Sequence, residues 1–168
     1  MYKQLCNTAS DINEHLPVLA ELAKECDSIT EMGVRYCVST WAFIEGNPKK
    51  LTCIDIKHPS EYAPQGGKES FDKVVSICKE KSIDFNFIQA STLDIEIDEV
   101  DLLFVDTLHT YDQLSQELKL HASKVKKYIV LHDTTSCPEL WQAVEELKEW
   151  KVKDKYTNNN GLTVLIPC

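Results

Sequence analysis

The chain has 168 residues, of which 43% are hydrophobic and 27% charged, and its formal net charge is −9. That length suits one domain over residues 1–168 with a full core and leaves little room for a second. The acidic balance argues against a nucleic-acid partner, because a phosphate backbone needs a basic face, and the densest basic cluster (Lys124, Lys126, Lys127) is small. Seven cysteines without C-x-x-C spacing do not support structural zinc and read as reduced thiols of a cytoplasmic compartment. With no apolar N-terminal signal and no run long enough to span a bilayer, no membrane partner is expected.

Residues Ser10 to Cys26 carry a helical pattern, with Leu16, Leu19, Ala20 and Ala23 on one face; Pro17 fits only near the helix start. A short strand with Ile29, Thr30 and Met32 follows, then Glu31 at its end, a turn at Gly33, and a helix over Thr40–Glu45 for which Ser39 and Thr40 are candidate N-caps. A strand that turns sharply into a helix N-terminus is a ready ligand site, where glycine admits a ligand close to the backbone. Gly46, Asn47 and Pro48 end the helix. Lys50–Ile56 reads as a second strand, His58 to Gly67 (with Pro59 and Pro64) as a loop, and Lys68–Lys81 as a helix with Phe71, Val74, Val75 and Cys78 inward. Strands are expected near Phe85–Gln89 and, from a continuous apolar run, at Val100–Asp106. A helix at Thr110–Ala122, a strand at Tyr128–Leu131 and a helix at Pro138–Lys148 come next. The segment ends in a hairpin, Val152–Tyr156 and Leu162–Ile166, around the turn Asn158–Gly161.

Alternating strands and helices predict a mostly parallel sheet with helices on both faces. Ligands bind outside the carboxyl ends of such strands. Polar residues gather at those ends: Glu31, Asp55, Gln89, Asp106, and the pair His132 and Asp133. Any one of them alone is read most simply as a cap or a packed side chain. Five successive strands ending this way point to a site.

These residues resemble the class I S-adenosylmethionine-dependent methyltransferases. The similarity is to the small-molecule and sugar O-methyltransferases whose fourth strand ends in Asp-x-x-His and whose fifth ends in His-Asp. It spans Asp27 to Pro167. The resemblance implies a Rossmann-like, doubly wound, seven-stranded sheet in three α/β/α layers with an antiparallel last strand. It implies that Glu31, Gly33 and Ser39 lie along the cofactor's amino-acid part, that Asp55 grips its ribose, and that Gln89 and Ser91 flank its adenine; Arg35, the one arginine in the sequence, is read either as a partner of the cofactor carboxylate or as a partner of Glu31 that fills the pocket. Where the family motif carries three alternate glycines, this chain keeps Gly33 and has Arg35 and Cys37 in the other places. Larger residues there can narrow the cleft or close it.

Methyl transfer to a hydroxyl needs the acceptor aligned and either deprotonated or bound to a metal. His109, three residues after Asp106, is the candidate base, with an unperturbed pKa of about 6.5. Asp106, His132 and Asp133 are the candidate ligands of a divalent cation such as magnesium or manganese. The leading expectation is an S-adenosylmethionine-dependent O-methyltransferase acting on a small molecule or sugar, with a lid from a second subunit as one way to cover the acceptor. The alternative is a degenerate methyltransferase fold kept as a binding or partner subunit. A nicotinamide-dependent oxidoreductase is weaker, because G-x-G-x-x-G is absent.

Overall fold

The computed structural model describes residues 1–168, except for the side chains at 63–65, so Pro64 of the expected loop lies outside the described residues. Seven strands form one sheet: β1 (Ser28–Met32), β2 (Lys50–Asp55), β3 (Asp84–Gln89), β4 (Val100–Val105), β5 (Val125–His132), β6 (Trp150–Tyr156) and β7 (Leu162–Pro167). Their order is β3-β2-β1-β4-β5-β7-β6. The first five pair in parallel, and β7 runs antiparallel between β5 and β6. This is the doubly wound, mostly parallel sheet with an antiparallel last strand that the alternation and the resemblance predict.

Six α-helices surround it: α1 (Tyr2–Cys6), α2 (Leu16–Lys24), α3 (Val38–Gly46), α4 (Gly67–Glu80), α5 (Tyr111–His121) and α6 (Leu140–Glu146). Pro17 falls in the first turn of α2, where a missing N–H costs nothing. The helix therefore begins at Leu16, after a 3₁₀ turn at Asn13–His15, and not at Ser10. α1 has no counterpart in the sequence reading, since five residues cannot display a repeat.

The strands alternate sides with period two. Ile29, Leu51, Cys53, Leu102, Phe104 and Val130 face α2, α3 and α4, where the Phe43 ring meets Phe104 at 5.5 Å between centroids. Met32, Ile54, Leu103, Val105, Ile129 and Leu131 face α5 and α6. Of the expected α4 stripe, Val74 and Cys78 are fully buried and Phe71 packs partly, whereas Val75 turns outward. All seven cysteines are free thiols. Among the described residues, no helix is long and apolar enough to cross a membrane.

Candidate functional site

The β1–α3 turn departs from expectation in one respect. The residue that caps α3 is Cys37, in the left-handed conformation at φ 64°, and Ser39 and Thr40 lie inside the helix's first turn. They are not N-caps, because both hydroxyls point at Glu31. Ser39 Oγ donates to Oε1 at 2.5 Å, Thr40 Oγ1 to Oε2 at 2.7 Å, and Cys53 Sγ to Oε2 at 3.0 Å. Glu31 is fully buried. Burial pushes its carboxyl up to about 7, against the pull of those three donors. Glu31 and Ser39 thus hold each other beneath the loop.

The loop keeps the shape of a glycine loop without its glycines. Gly33 has φ 86°, Arg35 φ 44° and Cys37 φ 64°. A Cβ on Gly33 would sit 1.9 Å from the Asp106 carbonyl oxygen, so glycine here admits the end of β4. Arg35 and Cys37 accept left-handed backbone at about 1–2 kcal/mol each. Neither closes the cleft. The Arg35 guanidinium reaches Asp11 at 3.0 Å, and Cys37 is buried in the core. Asp55 locks the loop from the next strand: its Oδ2 accepts from the Val34 and Arg35 N–H groups at 2.8 and 3.0 Å, and its Oδ1 from Lys57 N at 2.9 Å.

A cleft of about 380 Å³ opens at the carboxyl ends of β1, β2, β3 and β4. Gly33, Arg35 and Asp55 form one end, and Ser91, Thr92, Thr107 and Gln113 the other. Its rims include Ile56 and Leu108, which are 69% and 64% exposed. Large apolar side chains left in water beside a cleft mark a place where a flat, apolar ligand surface can be covered. Gln89 does not line the cleft. Its amide donates to Ile56 O at 3.4 Å and Glu61 Oε1 at 3.2 Å on the surface.

Beside Gly33 the ends of β4 and β5 bring two carboxylates and two imidazoles together. His109 Nε2 donates to Asp106 Oδ1 at 3.1 Å and lies 3.1 Å from Asp133 Oδ2. His132 Nδ1 donates to Asp133 Oδ2 at 3.0 Å and lies 3.5 Å from Asp106 Oδ1. Burial would raise both carboxyls, but the bonds and charges of the two histidines outweigh it and hold both below their ordinary range. The bond to Asp106, helped by the nearby Asp133 charge, outweighs burial and raises the His109 imidazole. Burial would lower His132, yet Asp106 and Asp133 raise it. Asp133 also accepts from Ser136 Oγ at 2.8 Å, which orders the following loop. The cap of α5 is Thr110, so Asp106 is free of that structural duty.

Asp106, His109 and Asp133 each offer a donor atom within 4.8 Å of the others. This set differs from the Asp106, His132 and Asp133 expected from sequence. His132 is 2% exposed, its Nδ1 is engaged by Asp133, and its Nε2 is buried without a partner among the described residues. The other histidines stand apart. His15 is buried against the His132 ring, His121 is buried at the end of α5 with its Nε2 2.8 Å from Thr92 O, and His58 packs on Phe71 and Phe87. Trp41, on α3, packs in the core and does not line the cleft.

Sequence reasoning missed Ile56, Leu108, Thr92, Thr107 and Gln113. Ile56 and Leu108 carried a signal, since each is an isolated apolar residue one or two places past an acid that ends a strand.

Fold and site together define a class I methyltransferase architecture, with a cleft over the carboxyl ends of the first four strands. The methyltransferase-domain family profile matches residues 30–134, more than half of the chain, and the chain belongs to that family. No curated protein matches it in sequence. Among solved structures it is similar to a protein from Staphylococcus aureus described as a caffeoyl-CoA O-methyltransferase, at TM-score 0.66 and 14% identity over 92% of this chain and 83% of that one. An rRNA methylase from Escherichia coli superposes at TM-score 0.63 and 17% identity, over 94% and 65%. An O-methyltransferase from Bacillus cereus in complex with S-adenosylhomocysteine does so at 0.59 and 11%, over 92% and 81%. At these identities the likeness is one of fold.

Proposed function

We propose that the protein binds S-adenosylmethionine in the 380 Å³ cleft and methylates a hydroxyl of a small molecule, with sugars among the candidates. The observation that carries this reading is the placement of His109, between two carboxylates, beside the end of the cleft where Gly33 and Asp106 meet. The cleft's parts suit the cofactor. Asp55 keeps an acceptor site on Oδ1 for a ribose hydroxyl, and Ile56 and Leu108 offer apolar cover for a purine face. The nearby Arg35 supplies positive charge for a carboxylate. S-adenosylmethionine supplies an electrophilic methyl group on a sulfonium.

The chain's own residues align the acceptor and take its proton. Bonding through Nε2 to Asp106 and Asp133 makes that nitrogen the N–H of neutral His109 and leaves Nδ1 to receive a proton. The two carboxylates stabilise the imidazolium that results, as a buried Asp does in a hydrolase triad. Alternatively, the donor set of two carboxylates and an imidazole fits a divalent cation. Asp106, His109 and Asp133 would hold it, and it would acidify the acceptor hydroxyl. The rRNA methylase among the similar structures raises RNA as an acceptor, but a net charge of −9 favours a small molecule.

Calorimetric titration with S-adenosylhomocysteine, with and without manganese, tests the reading. Micromolar binding that weakens at least about tenfold in Asp55→Ala supports it. No binding at millimolar ligand sinks it and leaves the partner-subunit alternative.

A further inference from the structure

Below the Thr92 end of the cleft lies a carboxylate that methyl transfer does not require. Glu117 on α5 is 0% exposed. Its Oε1 accepts from Thr92 Oγ1 at 2.5 Å and from Gln113 Nε2 at 2.8 Å, and Thr107 Oγ1 lies 2.9 Å from each of its oxygens. No lysine, arginine or histidine pairs with it among the described residues. Burying a carboxylate costs several kcal/mol unless its lone pairs are met. The three donors that meet them come from three separate segments: the connection after β3, the loop after β4, and the first turn of α5. All three line the cleft.

The chemistry of these groups fixes their orientation. A carboxylate only accepts, so Gln113 must turn its NH₂ inward. The Thr92 hydroxyl gives its proton to Glu117 and accepts the second Gln113 N–H at 3.2 Å. Both amide hydrogens are therefore engaged below the cleft. Gln113 Oε1 has no hydrogen-bond partner among the described residues, and it is the group this side chain has left for a ligand.

We infer that Gln113 reads an N–H donor through Oε1, namely the exocyclic amino group of a 6-aminopurine, and that Glu117 is the positioning residue that holds the amide in that sense. The inference rests on the cofactor reading above and assigns the residue that makes that site select adenine over other purines. Without Glu117 the amide can turn over and offer NH₂, which suits the opposite pattern.

The test is a calorimetric comparison of S-adenosylhomocysteine with its analogue carrying hydrogen in place of the 6-amino group. The wild-type protein is expected to prefer the amino compound by about tenfold, the worth of one well-made hydrogen bond. Gln113→Ala brings the ratio near one. Glu117→Gln, which can donate as well as accept, also lowers the ratio, with the deaminated analogue affected by less than about threefold. A general loss of structure would weaken both ligands alike and leave the ratio unchanged. Gln113 is half-buried at the cleft wall, so its variant decides the matter even if Glu117→Gln folds poorly. A tenfold preference that survives in Gln113→Ala, or no preference in the wild type, overturns the inference and leaves cofactor binding intact. Failure of the wild type to bind either compound overturns the cofactor reading, and this inference with it.

Discussion

Glu31→Gln isolates the energetic effect of one buried acid. The carboxyl is wholly enclosed by Ser39, Thr40 and Cys53, and its pKa rises from the ordinary 4.5 to about 7. In the unfolded chain the same group releases its proton near 4.5, so between these values the folded state binds more protons than the unfolded. Stability then falls with rising pH. The contribution is complete below about 4.5 and is lost once the pH passes about 7. At about 1.4 kcal/mol per pH unit the total is about 3 kcal/mol. Glutamine keeps an acceptor for one hydroxyl and carries no charge at any pH. Urea unfolding of both proteins from pH 4 to 8.5 gives the difference in ΔG directly. It should tilt in favour of the variant by about 3 kcal/mol across the range and level off above pH 8. A difference independent of pH would mean that Glu31 titrates at its ordinary value and that the enclosure described for it is wrong.

Three further outcomes follow from the same geometry. Gly33→Ala adds a Cβ 1.9 Å from the Asp106 carbonyl at a φ of 86°, so it should cost more than about 3 kcal/mol in thermal or urea unfolding, or yield no folded protein. Arg35→Gly removes a left-handed arginine whose ion pair with Asp11 is half-exposed and worth little; stability should rise by about 1 kcal/mol in the same assay. Asp133→Asn takes away a charge that faces both histidines, so the affinity for Mn²⁺, read by calorimetry or by loss of the free-ion electron-resonance signal, should fall about tenfold or more.

The strands were legible because a sheet covered on both faces leaves continuous apolar runs, as VDLLFV does in β4. Asp55, Asp106 and Asp133 were legible because each directly follows or closes a parallel strand and so lies on the same sheet edge, and His109 because three residues keep it close to Asp106. Gly33 was legible as a turn glycine beside a ligand site, but not that its missing side chain also makes room for the end of β4. The first turn of α3 was misread because serine and threonine commonly cap, and nothing local tells that Cys37 takes the left-handed position. His132, and not His109, was read as the metal ligand, because sequence does not show which imidazole nitrogen faces the two carboxylates. Glu117 stayed hidden although its place next to Leu118, three residues past Leu114, sets an acid on the buried face of α5. A lone acid there usually reads as solvated, and its partners lie in two other segments.

The placement of β7 orders the assembly of the molecule in time. β6 is synthesised before β7 yet has no neighbour in the sheet except β7, and β5 lacks its outer partner until β7 arrives. β7 also brings Thr163 Oγ1 within 2.9 Å of Thr134 Oγ1, beside Asp133. A nascent chain can therefore assemble β1 to β4 with their covering helices early, while the half of the sheet that carries Asp133 waits for a late, long-range insertion. During that wait β5 is an unprotected edge, and it is where crowded synthesis would be expected to go wrong first.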